Sequence, residues 1–354
     1  MTSRRHRRPA RLALGLALAA LAALTLAASA GAHAVLEESS PQRGAALERS
    51  PGEVTFRFNE PVEASFGAVR VFDSSGGEVQ RSETGPSADG REIGAALPGT
   101  LPAGYYTAIY RVVSADSHPV SGGITFSVDP SGRGLAGAGG GKTISELLSS
   151  SEAGEVTRVG FWVDRWIGFL ALALAVGAAA WLVLVWRPSR RGIGAEAETG
   201  ADRAGVGSRA RALLLAAIAA GIGASLAAIP FQGAVATGKS FWSAFGGGVP
   251  GDVISTRFGT MMLIRAAAFA ALLPLALLAG RIARERRLAG GAAPAAGLAA
   301  AGAAGLARTP GLAGHASTQG PTWLLMPSDA VHVGAMALWS GGLAAMLWLL
   351  PAAT

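Results

Sequence analysis

The 354-residue sequence contains no cysteine. That absence removes zinc ribbons, thiol catalysis, thiolate metal sites and disulfide bracing together. Any exported part must therefore be held by its own apolar core. Methionine is missing between Met1 and Met261, so the first 260 residues offer no thioether cluster for a soft cation such as Cu⁺. A metal site there has only nitrogen and oxygen to draw on, which favours Cu²⁺ over Cu⁺. Charge is sparse as well, at 15% of residues, whereas half of the chain is hydrophobic. Nucleotide loops, phosphorylatable Asp motifs and Ser/His/Asp arrangements are lacking, so nothing supports ATP-driven chemistry. Lysine is absent from residues 33–130, which carry seven Arg against thirteen Asp and Glu, a net charge of −6. The +7 of the whole chain thus belongs to the leader and the apolar C-terminal part. There the Arg residues flank hydrophobic runs, which is a pattern of membrane topology. It is not a phosphate-binding face, and nucleic acid is excluded as a partner.

Four segments follow one another. Residues 1–32 have signal-peptide form: Arg4, Arg5, Arg7, Arg8 and Arg11 precede an apolar run from Leu12 to Ala28. Two small-residue cleavage sites overlap, Ala30-Gly31-Ala32 and Ala32-His33-Ala34, and spacing alone does not choose between them. Residues 33–129 read as short alternating strands, such as Val54-Thr55-Phe56-Arg57-Phe58, separated by turn signals such as Pro51-Gly52 and Ser75-Gly76-Gly77. This pattern predicts an all-β sandwich. Residues 130–158 form a Gly/Ala-rich linker with a short juxtamembrane helix after Thr143. Residues 159–354 are all-α and apolar, with about five spans near 160–186, 210–230, 258–280, 288–307 and 329–350. With the β domain outside, the Arg-rich loops 187–211 and 281–287 fall in the cytoplasm, in agreement with the positive-inside rule. The chain is expected in the cytoplasmic membrane, with the lipid bilayer as a partner.

The candidate ligands are few, because the chain has only five His. Asp116 and His118 are two apart, so an extended backbone points both to one face, and Pro119 favours that backbone. A lone pair of this kind is more often a turn residue and a surface His. His33 changes the balance. Cleavage after Ala32 makes it the first residue, which offers an α-amine and an imidazole at once. In the apolar part, Asp329 and His332 stand three apart at the outer end of the last span, and His315 lies in the outer loop before it. Ionisable residues in a span are costly and usually face the protein interior or a water-filled path. The competing roles are a helix cap for Asp329 and an interfacial site for His332. Arg265 lies either near a polar path, paired with Asp164 or Asp329, or snorkels to the headgroups, the cheaper arrangement. The Trp residues mostly sit near span ends and read as interfacial anchors.

Residues 33–128 resemble the CopC family. The likeness rests on His33-Ala34-Val35-Leu36, Ser39-Ser40-Pro41, Val54 to Val62, Leu101-Pro102-Ala103-Gly104-Tyr105-Tyr106, and Val113 to Gly122 with its Asp116-Ser117-His118-Pro119 core. The resemblance implies an immunoglobulin-like or cupredoxin-like sandwich and cleavage after Ala32. It also implies a Cu²⁺ site of His33, Asp116 and His118. The apolar part resembles the CopD family through Thr256-Arg257-Phe258-Gly259-Thr260, Gly314-His315-Ala316, Asp329 to Gly334 and Trp339-Ser340-Gly341-Gly342-Leu343. The fused arrangement resembles YcnJ-like copper resistance and uptake proteins. CopD-type domains usually have more than five helices, so a shortened or truncated member is expected.

The implied function is not enzymatic. The outer domain binds Cu²⁺ and passes it to a membrane path of His315, Asp329 and His332 for import, in copper homeostasis and resistance. Cu⁺ in the membrane part would require reductase or delivery partners, with Met261, Met262, Met336 and Met346 either as soft ligands or simply as packing. The alternatives are a copper chaperone or sensor with a membrane anchor, and a copper-brace oxidative enzyme. The few aromatics of the β domain speak against the last.

Overall fold

The computed structural model describes residues 34–64, 68–84, 86–115, 118–132, 135, 142–150, 152–186, 200–284, 292–318 and 320–349. The expected signal peptide, its cleavage point and most of the Gly/Ala-rich linker lie outside the described residues.

Nine strands form two sheets among the described residues. One runs in the order β1 (Leu36–Ser40), β3 (Glu53–Phe58), β7 (Glu92–Ala96) and β6 (Ser82–Thr84). The other joins β2 (Ala46–Leu47), β9 (Pro119–Val128), β8 (Gly104–Ser114) and β4 (Val62–Glu63), with β5 (Val69–Asp73) also paired to β8. All pairings are antiparallel except β2 with β9. Alternation explains the core. Val54, Phe56 and Phe58 on β3 are fully buried while the residues between them are not. They meet Tyr110 of β8, whose ring centre lies 4.9 Å from that of Phe56 and 5.2 Å from that of Phe58. Each large side chain so buried contributes about 1.5–3 kcal/mol.

A short helix, α1 (Ile144–Ser150), follows the linker as expected. A reciprocal capping box starts it: Glu146 N–H donates to Thr143 Oγ1, and Thr143 N–H donates to Glu146 Oε2. Its buried Leu147 packs on Phe72 and Ile109 of the β region.

The helical region contains α2 (Glu155–Ala180, extended by a π turn to Trp186), α3 (Gly200–Thr237), α4 (Val249–Ser255), α5 (Arg257–Ala270), α6 (Leu273–Arg284) and α7 (Ala292–Ala313). It ends with α8 (Thr322–Met336), a π turn (Ala337–Gly341) and α9 (Gly342–Leu349). Among the described residues, four stretches are long and apolar enough to cross a membrane: 155–186, 205–237, 257–279 and 322–349. Of the expected span at 288–307, residues 292–307 belong to α7, whose Ala- and Gly-rich sequence does not join those four. Two boundaries differ from expectation because a proline does not end the helix. Pro230 lies inside α3 and Pro327 inside α8, as neighbouring helices permit in lipid. Trp181 and Trp186 also depart from an anchoring role, since both are buried and stack on each other at 5.6 Å.

Small residues set the closest crossing. Gly177 of α2 lies against the backbone of Gly341 and Gly342, and a Cβ on Gly341 would strike the Ala173 carbonyl. Backbones approach this closely only where side chains are absent. The Trp339-Ser340-Gly341-Gly342 motif is therefore a helix-packing device.

Candidate functional site

The β8–β9 turn carries the late motif. Ser114 N–H donates to the His118 carbonyl at 2.9 Å, which closes the turn. The Ser114 hydroxyl donates to Glu60 Oε1 at 2.6 Å. The neighbouring Asn59 holds the start of the domain: Val35 N–H donates to Asn59 Oδ1 at 2.7 Å, and Asn59 N–H donates to the Val35 carbonyl at 3.1 Å. Two adjacent side chains thus fasten the N-terminal strand and the Ser114–His118 turn. Both belong to the Phe58-Asn59-Glu60-Pro61 stretch, whose positioning role pattern reading did not assign. His33 and Asp116 lie outside the described residues, and His118 is half-buried.

His118 also belongs to a second feature. It lines a cleft of about 120 Å³ whose other walls are helical residues, including Asp164, Gln232, Met262, Arg265, Thr309 and Gly314. The β region sits on the helices through contacts with helix ends. Arg257 N–H, in the first turn of α5, donates to Glu63 Oε1 at 3.2 Å. Arg111 Nη1 donates to the Val235 carbonyl near the end of α3 at 3.3 Å. Each charge faces the helix terminus of opposite partial charge. Burial pushes the Glu63 carboxyl up, against the opposing contact with Arg257. Burial pulls the Arg111 guanidinium down, partly offset by Glu152.

The Thr256-Arg257-Phe258-Gly259 motif is the corner that offers Arg257 N–H. Thr256 caps α5 by accepting from Gly259 N–H at 3.2 Å, while its hydroxyl donates to the Val253 carbonyl at 2.6 Å.

Arg265 does not snorkel. It is 9% exposed, lines the cleft and lies with Cζ 5.2 Å from the Phe169 ring centre. Asp164, 8% exposed, attracts it from the same cleft. Met262 is buried and lines the cleft, whereas Met336 is exposed.

The expected membrane residues lie on α8 and in the turn that follows α7. His315 opens a 3₁₀ turn to Ser317; its side chain is outside the described set. Asp329 on α8 packs on Gly311, where a Cβ would meet Asp329 Oδ2 at 2.5 Å. That buried oxygen has no hydrogen-bond partner. His332, one turn further, is exposed. Pro310 and Gly314 face the cleft under His118, so the end of α7 touches both the cleft and Asp329. Among the described residues, no three His, Asp or Glu gather as a metal cluster.

Comparison with known proteins accounts for both regions. Residues 36–129 match the CopC domain, and residues 156–322 match the N-terminal domain of copper resistance protein D-like proteins. The chain belongs to the CopC–CopD copper resistance family. It is 30% identical over 324 residues to the copper transport protein CutJ of Bacillus subtilis, covering 90% of this chain and 54% of that protein. The chain therefore spans about half the length of that relative. It is 34% identical over 114 residues to copper resistance protein C of Xanthomonas campestris pv. juglandis, covering 30% of this chain and 89% of that protein. The crystal structure of CopC from Methylosinus trichosporium OB3b is 32% identical, with a TM-score of 0.27, and covers 29% of this chain and all of that one. This is a multi-pass membrane protein with an extracytoplasmic CopC-like domain.

Proposed function

We propose that this protein takes up Cu²⁺ outside the cell membrane and imports it. Residues 33–129 form a closed sandwich of the cupredoxin or immunoglobulin kind, residues 130–158 link it to the membrane, and residues 159–354 carry the ion. The amine and imidazole of His33, with Asp116 and His118, hold Cu²⁺. One observation carries the reading: His118 belongs both to the turn of the outer domain and to the wall of the helical cleft. A ligand in that position can release its ion into the cleft without the domain leaving the membrane. Asp164 and Met262 line the same cleft and provide a hard and a soft donor in turn. Soft thioether donors suit Cu⁺, so one electron from an external reductase supports the onward step past His315, Asp329 and His332.

Replacing His118 with Ala in the full chain tests this. Copper bound per outer domain should fall from one to none, and cellular copper accumulation should fall with it. Binding should also weaken as pH drops, because the amine and imidazoles bind only when unprotonated. Loss of binding with unchanged accumulation refutes the hand-over. If Ala at Asp329 and His332 leaves accumulation unchanged in a stably folded protein, the helices are only an anchor for a chaperone or sensor.

A further inference from the structure

Arg265 is a buried cation that the copper reading does not use. It stands on α5, 9% exposed, in the wall of the cleft beneath His118. Its Nε and Nη2 are buried and have no hydrogen-bond partner. Together they form the edge of the guanidinium that ordinarily grips an anion. Phe169 covers one face of the group at 5.2 Å. The missing side chain of Gly168 leaves a methyl-sized gap beside Nη2, where a Cβ would sit 3.5 Å away.

The charges around the cleft do not balance. Buried Arg265 is opposed by one buried carboxylate, Asp164, and the exposed Arg165 at the rim adds a second positive charge. Excess positive charge is expensive in a site of low dielectric, and a copper ion arriving at His118 adds to it. We propose that the cleft binds a small monovalent anion of chloride size on the Nε and Nη2 edge of Arg265. The anion neutralises the cleft and accompanies the metal cation. A volume of about 120 Å³ admits such an ion and excludes a nucleotide. This inference uses the cleft of the copper reading but does not require copper to move through it.

The test uses the full chain in detergent micelles, in metal-free buffer, with chloride as the probe and chlorine NMR line broadening as the readout. Wild-type protein should broaden the line saturably, and Arg265→Gln should remove that component. Asp164→Asn, which deletes the competing carboxylate, should tighten chloride binding on the order of tenfold. Thermal melting confirms that each variant is folded, and Asp164→Asn decides the matter if Arg265→Gln is not. No saturable broadening in the wild type, equal broadening in Arg265→Gln, or weaker binding in Asp164→Asn overturns the proposal. No metal is present, so a failure of copper import would leave this result standing, and the reverse holds too.

Discussion

In the β region, most charged side chains lie at the surface and some meet one another there. Arg57 reaches Asp89 at 2.9 Å and Glu92 at 3.6 Å, with all three well exposed. In the helical region the arrangement turns inside out. Asp164 and Arg265 are less than a tenth exposed, while Trp162, Trp166, Val331 and Leu347 stand mostly uncovered. The first region hides carbon from water and spends its ions on a solvated face. The second offers carbon to lipid and keeps its few ions inside, where each is costly and needs a reason to be there. A carboxylate or guanidinium therefore stands out in the helices and is lost among many like it in the strands.

The comparison breaks most easily at the packing that holds the helices. The strands are held by large apolar side chains, whereas the crossing of α2 with the last π turn is held by the lack of side chains. Gly341→Val would force branched carbon onto the Ala173 carbonyl. Overpacking of this kind costs about 1–3 kcal/mol. Thermal unfolding in detergent should show an earlier helical transition and an unchanged β transition. A joint shift of both would mean that the two regions unfold as one unit.

The junction tests the comparison at its boundary. Glu63 is a β-region carboxylate that behaves like a helical-region one, half-buried and aimed at the start of α5. Glu63→Lys would set a positive charge against the positive end of a helix. A charge at a helix end is worth about 0.3–1 kcal/mol, so reversal should multiply the undocked population several-fold, as read from spin-label distances between the β region and α3. Copper binding by the outer domain should persist while accumulation falls. Glu63→Gln keeps an acceptor oxygen and should do less. Equal accumulation in Glu63→Lys and wild type would show that docking is not needed for transfer.

Some of this was legible before folding. Val54 to Phe58 announces a strand by alternation, and the spans announce themselves by apolar length. Asp116 and His118 stand out because the outer segment has so few His. The cleft was not legible, because its walls come from residues 161 to 314, which lie 43 to 196 positions away from His118. The same holds for Glu63 with Arg257 and Arg111 with Val235, separated by 194 and 124 positions. Arg265 illustrates the limit. Hydropathy allows it to snorkel or turn inward, and only the placement of Asp164 and Phe169 on a neighbouring helix decides. Asp329 and His332 show it again. Three positions of a helix place them near one face, yet only Asp329 has Gly311 opposite to admit it.

The smallest effect concerns Asp89, the surface counterpart of the buried carboxylates. The Ser87 hydroxyl, the Arg91 N–H and then the Arg57 guanidinium pull its carboxyl from 3.8 to about 2. A pKa lowered by folding means that the ionised form favours the folded state. That contribution is fully present above the ordinary aspartate value and is lost as pH falls toward 2. Asp89→Asn should therefore lower β-region stability slightly at neutral pH, and the gap from wild type should close between about pH 4 and pH 2. Urea titrations of the full chain across that range measure it. Because Asp89 is exposed, added salt should shrink the part of the gap due to Arg57 and spare the part due to Ser87 and Arg91. A gap that widened in acid would show that the ion is a burden to the fold. The strands would then treat a carboxylate as the helices do.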